Sequence, residues 1–118
     1  KLISHKVNGL NECLQIEVKD EPGHGGACHK YHVSPTIGNA IGCFIEFQNG
    51  PISEHGINGL SIESLLAIVE DRLIGFQSGD YACTDNANAL TKIQEAMMWL
   101  QKRTLDRIRR GVEGTSKQ

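Results

Sequence analysis

No apolar run in this chain approaches the roughly 20 residues that a membrane span requires, and the residues from Lys1 onward lack the basic-then-apolar pattern of a targeting segment. The expectation is a protein soluble throughout, with no membrane partner. An excess of positive charge is missing too. Twelve Lys and Arg against fourteen Asp and Glu give a net charge of −2 over 118 residues, which excludes wholesale binding of a nucleic-acid polymer, because that needs a basic surface. The four cysteines, Cys13, Cys28, Cys43 and Cys83, show no CxxC spacing, so reduced thiols in a cytoplasm are expected rather than a disulfide framework. There is also no strand-turn-helix nucleophile elbow and no oxyanion-hole motif, so no catalytic constellation is expected.

What is present supports one domain, positions 1–118, large enough to fold without staples but with little margin. Hydrophobic content of 39% and charged content of 22% are slightly lean for a soluble monomer, and assembly would relieve that. Leu14, Ile16 and Val18 alternate with Gln15 and Glu17, and Ile41, Cys43, Ile45 and Phe47 repeat the pattern, as half-buried strands do. The turn DEPGHGG at 20–26 lies between them, a third strand fits 28–33, and 2–7 is a candidate fourth. Such tight connections imply an antiparallel sheet. Asn49, Gly50 and Pro51 break the pattern. Ser61, with Glu63 in the first turn, then starts a helix whose stripe of Leu65, Val69, Leu73 and Phe76 runs to about Gln77. After a turn at Gly79 and Asp80, Thr84 or Asp85 caps a second helix, which carries Leu90, Ile93, Met97 and Leu100 until Gly111 stops it. The fold class is therefore α+β: a small N-terminal antiparallel sheet in 1–49, a linker at 50–60, a long antiparallel helical hairpin over 61–111, and a tail at 112–118.

Seven of the twelve basic residues lie from position 92 to 117, so any anion site is local. Arg103, Arg107 and Arg110 share one helix face at i, i+4, i+7. Cations there complement the helix dipole, and lysine would serve that purpose equally well. The fourfold use of arginine, at 103, 107, 109 and 110, suits bidentate phosphate binding. At the other end, Phe76 and Asn86 flank the hairpin turn; singly each reads as core or cap, and together with Tyr81 they can stack and hydrogen-bond a purine. Asn86 and Arg103 stand roughly 25 Å apart along one helix, more than one nucleotide bridges, so a common ligand requires a second chain. Cys28, His29, Tyr31 and His32 beside His24 offer zinc-type ligands, but a strand would point His29 and His32 to opposite sides and no HxxxH completes the set, so no metal is expected. The tail GVEGT at 111–115 reads either as a frayed terminus or as glycine-rich backbone that approaches an anion closely.

The runs GPISEHGINGL at 50–60, LLAIVEDRLIGFQSGDYACTDNANALTKIQEAMMWLQKRT at 65–104 and RGVEGT at 110–115 resemble the helical hairpin shared by two phage sponge families. These are the anti-Thoeris cyclic-ADP-ribose sponges and the anti-CBASS cyclic-oligonucleotide sponges; the β-rich front part resembles the former. The resemblance implies a non-enzymatic protein without cofactor, working in the cytoplasm of an infected bacterial host and sequestering a cyclic ADP-ribose isomer. It implies a pocket between protomers formed by Phe76, Asn86, Arg103 and Arg107. It further implies a homo-oligomer, a hexamer built from dimers, with a second site for cyclic di- or trinucleotides at Arg110, Gly114 and Thr115. Tyr81 stands where phenylalanine is common in these families, which adds a hydroxyl in need of a partner. Two competing readings stay open: a hydrolase or cyclase of such nucleotides using His29 or Glu46, and a helical interaction module working through the seam at 90–100.

Overall fold

Alternation at Leu14–Val18 (β1) and again at Lys30–Pro35 (β2) and Cys43–Glu46 (β3) produces a three-stranded antiparallel sheet of order β1-β2-β3. Its register aligns Ile16 with Val33, Val18 with Tyr31, and Tyr31 with Ile45, which collects the apolar side chains on one face. Glu17, His32 and Phe44 fall on the other face. This sheet belongs to the first of two compact units, Lys1–Leu60 and Ser61–Gln118, in a computed structural model that describes residues 1–111 together with Gly114 and Thr115. The architecture is α+β, as the patterning predicts.

Several local expectations change. Residues 2–7 form no strand; Leu2 makes a single bridge to Ile16, and a short helix, Gly9–Glu12 (α1), follows under an Asn8 cap. Ile41 is 95% exposed and lies outside β3, which begins only at Cys43. The segment expected as a linker, residues 50–60, is built into the first unit. It holds a helical turn, Ile52–His55 (α2), and Asn58 closes it with both amide atoms, accepting from Asn49 N–H and donating to Asn49 C=O, each at 2.8 Å. Gln48 accepts from Asn58 N–H and donates to the Gly56 carbonyl. A side chain at Gly59 would collide with the Phe47 carbonyl, so the return of this loop against β3 requires glycine there.

The second unit is the hairpin. Ser61 caps Ile62–Gln77 (α3) by accepting from Ser64 N–H, and the helix ends where the sequence places it. Thr84–Arg109 (α4) is capped by neither Thr84 nor Asp85. The Cys83 sulfur accepts the Asn86 N–H at 3.4 Å and takes that role. At the far end Gly111 adopts φ +70°, the left-handed conformation that terminates helices, and its N–H donates to Ile108 C=O. Leu90, Ile93, Met97 and Leu100 are half-buried, as the seam predicts; on α3 Leu65, Leu66, Leu73 and Phe76 are half-buried, whereas Val69 is 43% exposed. Among the described residues only His29 and Pro51 are buried, while Ile68 and Trp99 stay about two-thirds exposed or more. A hairpin with so much apolar surface outside its seam is one that assembly would stabilise.

Candidate functional site

Two separate places on the hairpin carry the sequence-predicted residues. The first is the turn. Phe76 sits one residue before the end of α3, with the Arg72 guanidinium 5.0 Å from its ring centroid and the Tyr81 ring edge-on at 6.3 Å. The turn between the helices is pinned by Gln77, whose side-chain amide accepts from Cys83 N–H at 3.0 Å and donates to Cys83 C=O at 3.2 Å. This pair of hydrogen bonds to the Cys83 backbone fixes the start of α4, and Asn86 stands half-buried in its first turn. Because Cys83 supplies the cap, the Asn86 side-chain amide is not consumed as one; among the described residues that amide has no hydrogen-bond partner.

The second place is the last three turns of α4. Trp99, Lys102, Arg103, Asp106, Arg107 and Arg110 line an open hollow of about 370 Å³. Asp106 is engaged by Lys102 at 2.9 Å and by Arg109 at 3.3 Å. The hydrogen bond from Lys102, with the charges of Lys102, Arg109 and Arg110 behind it, holds the Asp106 carboxyl below the usual carboxylate range. Arg107 donates from Nη2 to the Thr115 carbonyl at 2.9 Å, which brings this tail residue against α4. Gly114, at φ +80°, precedes it; the rest of the tail, residues 112, 113 and 116–118, lies outside the described residues. The guanidiniums of Arg103 and Arg110 have no ion pair or hydrogen bond among the described residues. The hollow thus presents two guanidiniums without a direct ion pair among the described residues, a fit for phosphate oxygens.

A single chain brings Phe76 together with Tyr81, and Arg103 together with Arg107 and Arg110, but it does not bring the two pairs to each other. Asn86 and Arg103 stand roughly 25 Å apart along one helix, and at about 100° per residue Asn86 faces the seam with Leu90 and Met97 while Arg103 lies about 100° round the helix from it. Three residues escaped the sequence reading. Trp99 and Lys102 stand at i−4 and i−1 from Arg103, a spacing that was legible, and Arg72 precedes Phe76 by one turn.

The first unit holds the acid-base candidates His29 and Glu46. His29 is 8% exposed with Nε2 3.1 Å from the His24 carbonyl. Asp20 accepts from the His29 and Lys30 backbone N–H groups at 3.0 and 3.2 Å. Desolvation is the strongest single influence on the Asp20 carboxyl and pushes it up, yet these donors together bring it below its ordinary value. His32 stacks on Phe44 with centroids 4.3 Å apart, and Glu46 is exposed opposite Lys30. Among the described residues no three His, Cys, Asp or Glu side chains converge as metal ligands.

Residues 39–105, more than half of the chain, match the family described as Acb2/Tad1, hairpin domain. A relative from Bacillus phage SBSphiJ7, Thoeris anti-defense 1, is 47% identical over 93 residues, covering 79% of this chain. The chain spans 64% of that relative's length. With the hairpin, its turn and the arginine-rich end all inside or beside the matched segment, this chain belongs to the Acb2/Tad1 hairpin family.

Proposed function

We propose that this protein counteracts Thoeris defence as a sponge, binding a cyclic ADP-ribose isomer without transforming it. The observation that carries the reading is the pairing, on one helix, of the Asn86 side-chain amide, just after the turn that holds Phe76 and Tyr81, with the guanidiniums of Arg103, Arg107 and Arg110 around one hollow at the opposite end. A base stacks against Phe76 and Tyr81 and takes a hydrogen bond from Asn86, while Arg103 and Arg107 of a second copy neutralise the diphosphate. The axial separation makes the second copy necessary, and the exposed apolar surface of both helices gives it something to bind. The assembly is a hexamer built from dimers, and Arg110, Gly114 and Thr115 extend binding to cyclic di- or trinucleotides. The protein acts in the cytoplasm of the infected host cell, where the signal is made. Membership in a family with a relative named for anti-defence supports this reading.

Isothermal titration with cyclic ADP-ribose isomers tests it. Saturable binding, with the ligand recovered chemically intact after the complex is heated, is the expected result. No binding, or full binding by an Arg103→Ala, Arg107→Ala double variant, rejects the site. Multiple turnover at substoichiometric protein would establish a hydrolase instead.

A further inference from the structure

Trp99 is the chain's one tryptophan, and it is 71% exposed on the outward side of α4. Its indole has no ring, cation or hydrogen-bond partner among the described residues. It forms one wall of the arginine hollow of about 370 Å³ and also lines a neighbouring hollow with Glu95, Met98 and Lys102. An apolar ring left bare in this way calls for an occupant, and the charges around it decide which kind. Asp106 already absorbs Lys102 and Arg109, and Arg107 is engaged with Thr115. The guanidiniums of Arg103 and Arg110 remain beside the indole without a direct ion pair or hydrogen bond among the described residues. An apolar protein surface docking here would strip water from two unpaired guanidiniums, a desolvation cost it has no means to repay. A flat ring carrying two phosphate charges satisfies both features at once, and a hollow of this size falls within the range of about 300 to 1,000 Å³ usual for small-molecule sites.

We infer that Trp99 is a base-stacking residue, so that the arginine end of α4 is itself a nucleotide-reading subsite: a nucleobase lies on the indole while its two phosphates pair with Arg103 and Arg110. This rests on the nucleotide-binding reading above and adds a second place for a base: the single base of a cyclic ADP-ribose isomer stays at the Phe76 corner, and the indole takes the base of a ligand whose phosphates lie on Arg103 and Arg110. Ligands with a ring next to their phosphates gain over bare anions. Stacking of a base on an aromatic side chain makes the expected gain tenfold or more in affinity, on the order of what alanine substitution removes at such sites.

The intact protein supplies its own reporter, since red-edge excitation isolates the indole from the two tyrosines. Titration with ADP is expected to quench Trp99 emission saturably, whereas pyrophosphate, which has the charges without the ring, binds at least about tenfold more weakly and leaves the emission nearly unchanged. Calorimetry should show Trp99→Ala losing about tenfold or more for ADP while its pyrophosphate affinity stays at the wild-type value, and Trp99→Phe restoring most of the ADP affinity. The Asn86→Ala variant should retain the ADP response, which separates this subsite from the hairpin corner. Equal quenching by pyrophosphate and ADP, unchanged ADP affinity in Trp99→Ala, or a blue-shifted emission in the free protein, the sign of an indole buried between copies, overturns the inference. Calorimetric binding of a cyclic ADP-ribose isomer by the wild type alongside any of these results would leave the proposed sponge standing without the Trp99 subsite. An ADP response without binding of any cyclic isomer would leave the subsite standing without the proposed sponge.

Discussion

Replacing Arg103 by alanine separates binding from stability in a way few other substitutions on α4 can. The guanidinium has no ion pair or hydrogen bond among the described residues, so the free protein gives up nothing of that kind when it is removed. An exposed substitution away from such features typically changes stability by no more than about 0.5 kcal/mol, which corresponds to a shift of a few degrees at most in melting temperature. The bound state loses a charge-assisted bond to phosphate, worth about 1.5 to 3 kcal/mol, or roughly 10- to 150-fold in Kd. Arg103→Lys should recover only part of this, because an ammonium lacks the planar fork that grips two oxygens. Arg107→Ala serves as the contrast: it also breaks the bond to the Thr115 carbonyl, so affinity and melting temperature should fall together. The assay is calorimetry with a cyclic ADP-ribose isomer, at low and at high salt, beside thermal melts of each variant. The affinity loss should shrink as salt rises, since ions screen the missing charge. Wild-type affinity in Arg103→Ala, or a fall in melting temperature as large as that of Arg107→Ala, would refute the reasoning.

Three further outcomes follow from particular bonds. Cys83→Ser replaces a sulfur acceptor at 3.4 Å with a hydroxyl suited to helix capping, and thermal melts should show a rise of about 2–6 °C. Gln77→Ala removes both side-chain hydrogen bonds to the Cys83 backbone, so amide hydrogen exchange at Cys83 and Asn86 should accelerate by about tenfold, and unchanged exchange would show the turn holds without the clamp. Asp106 has its folded-state carboxyl lowered by Lys102 and Arg109, so its contribution to stability is fully present above the ordinary carboxylate range and is lost as pH falls through the lowered value. Asp106→Asn should therefore flatten the acid limb of a melting-temperature profile between neutral and about pH 3, with little change near neutrality beyond the loss of the ion pairs themselves.

The hairpin was legible in the sequence because its signals are local. The seam on α4, the Ser61 cap and the Gly111 stop depend on residues within a turn or two of each other, and all three stand in the structure. Where an unusual chemistry substituted for a common one, the reading missed: a thiol caps α4, a role that sequence rules give to Ser, Thr, Asp or Asn. The segment at 50–60 looked like a linker because its glycines are visible while the side-chain amide bonds of Gln48 and Asn58, which fold it back on residues 47–49, join positions eight to ten apart. Leu2 has the pattern of a strand but finds only one bridge, to Ile16. On α4 the arginine stripe was read from spacing, and the structure places Arg103, Arg107 and Arg110 around one hollow. Trp99 shares that spacing and went unread, because a lone aromatic on a helix is by default assigned to a core. What spacing could not supply is which cations are already paired. In the folded chain Asp106 engages Lys102 and Arg109 and makes no ion pair with Arg103.

The central claim is that the Asn86 corner of one copy and the Arg103 end of another form one binding site, and subunit mixing tests it most directly. Asn86→Ala and Arg103→Ala chains, each weakened in binding when alone, are to be co-refolded at equal amounts and titrated with a cyclic ADP-ribose isomer. If the site is shared across a two-fold pair, each mixed pair regains one site with both residues intact, so about one quarter of all sites should bind with wild-type affinity. If both residues act within one chain, every site in the mixture carries a defect, and the absence of any wild-type-affinity fraction would contradict the account.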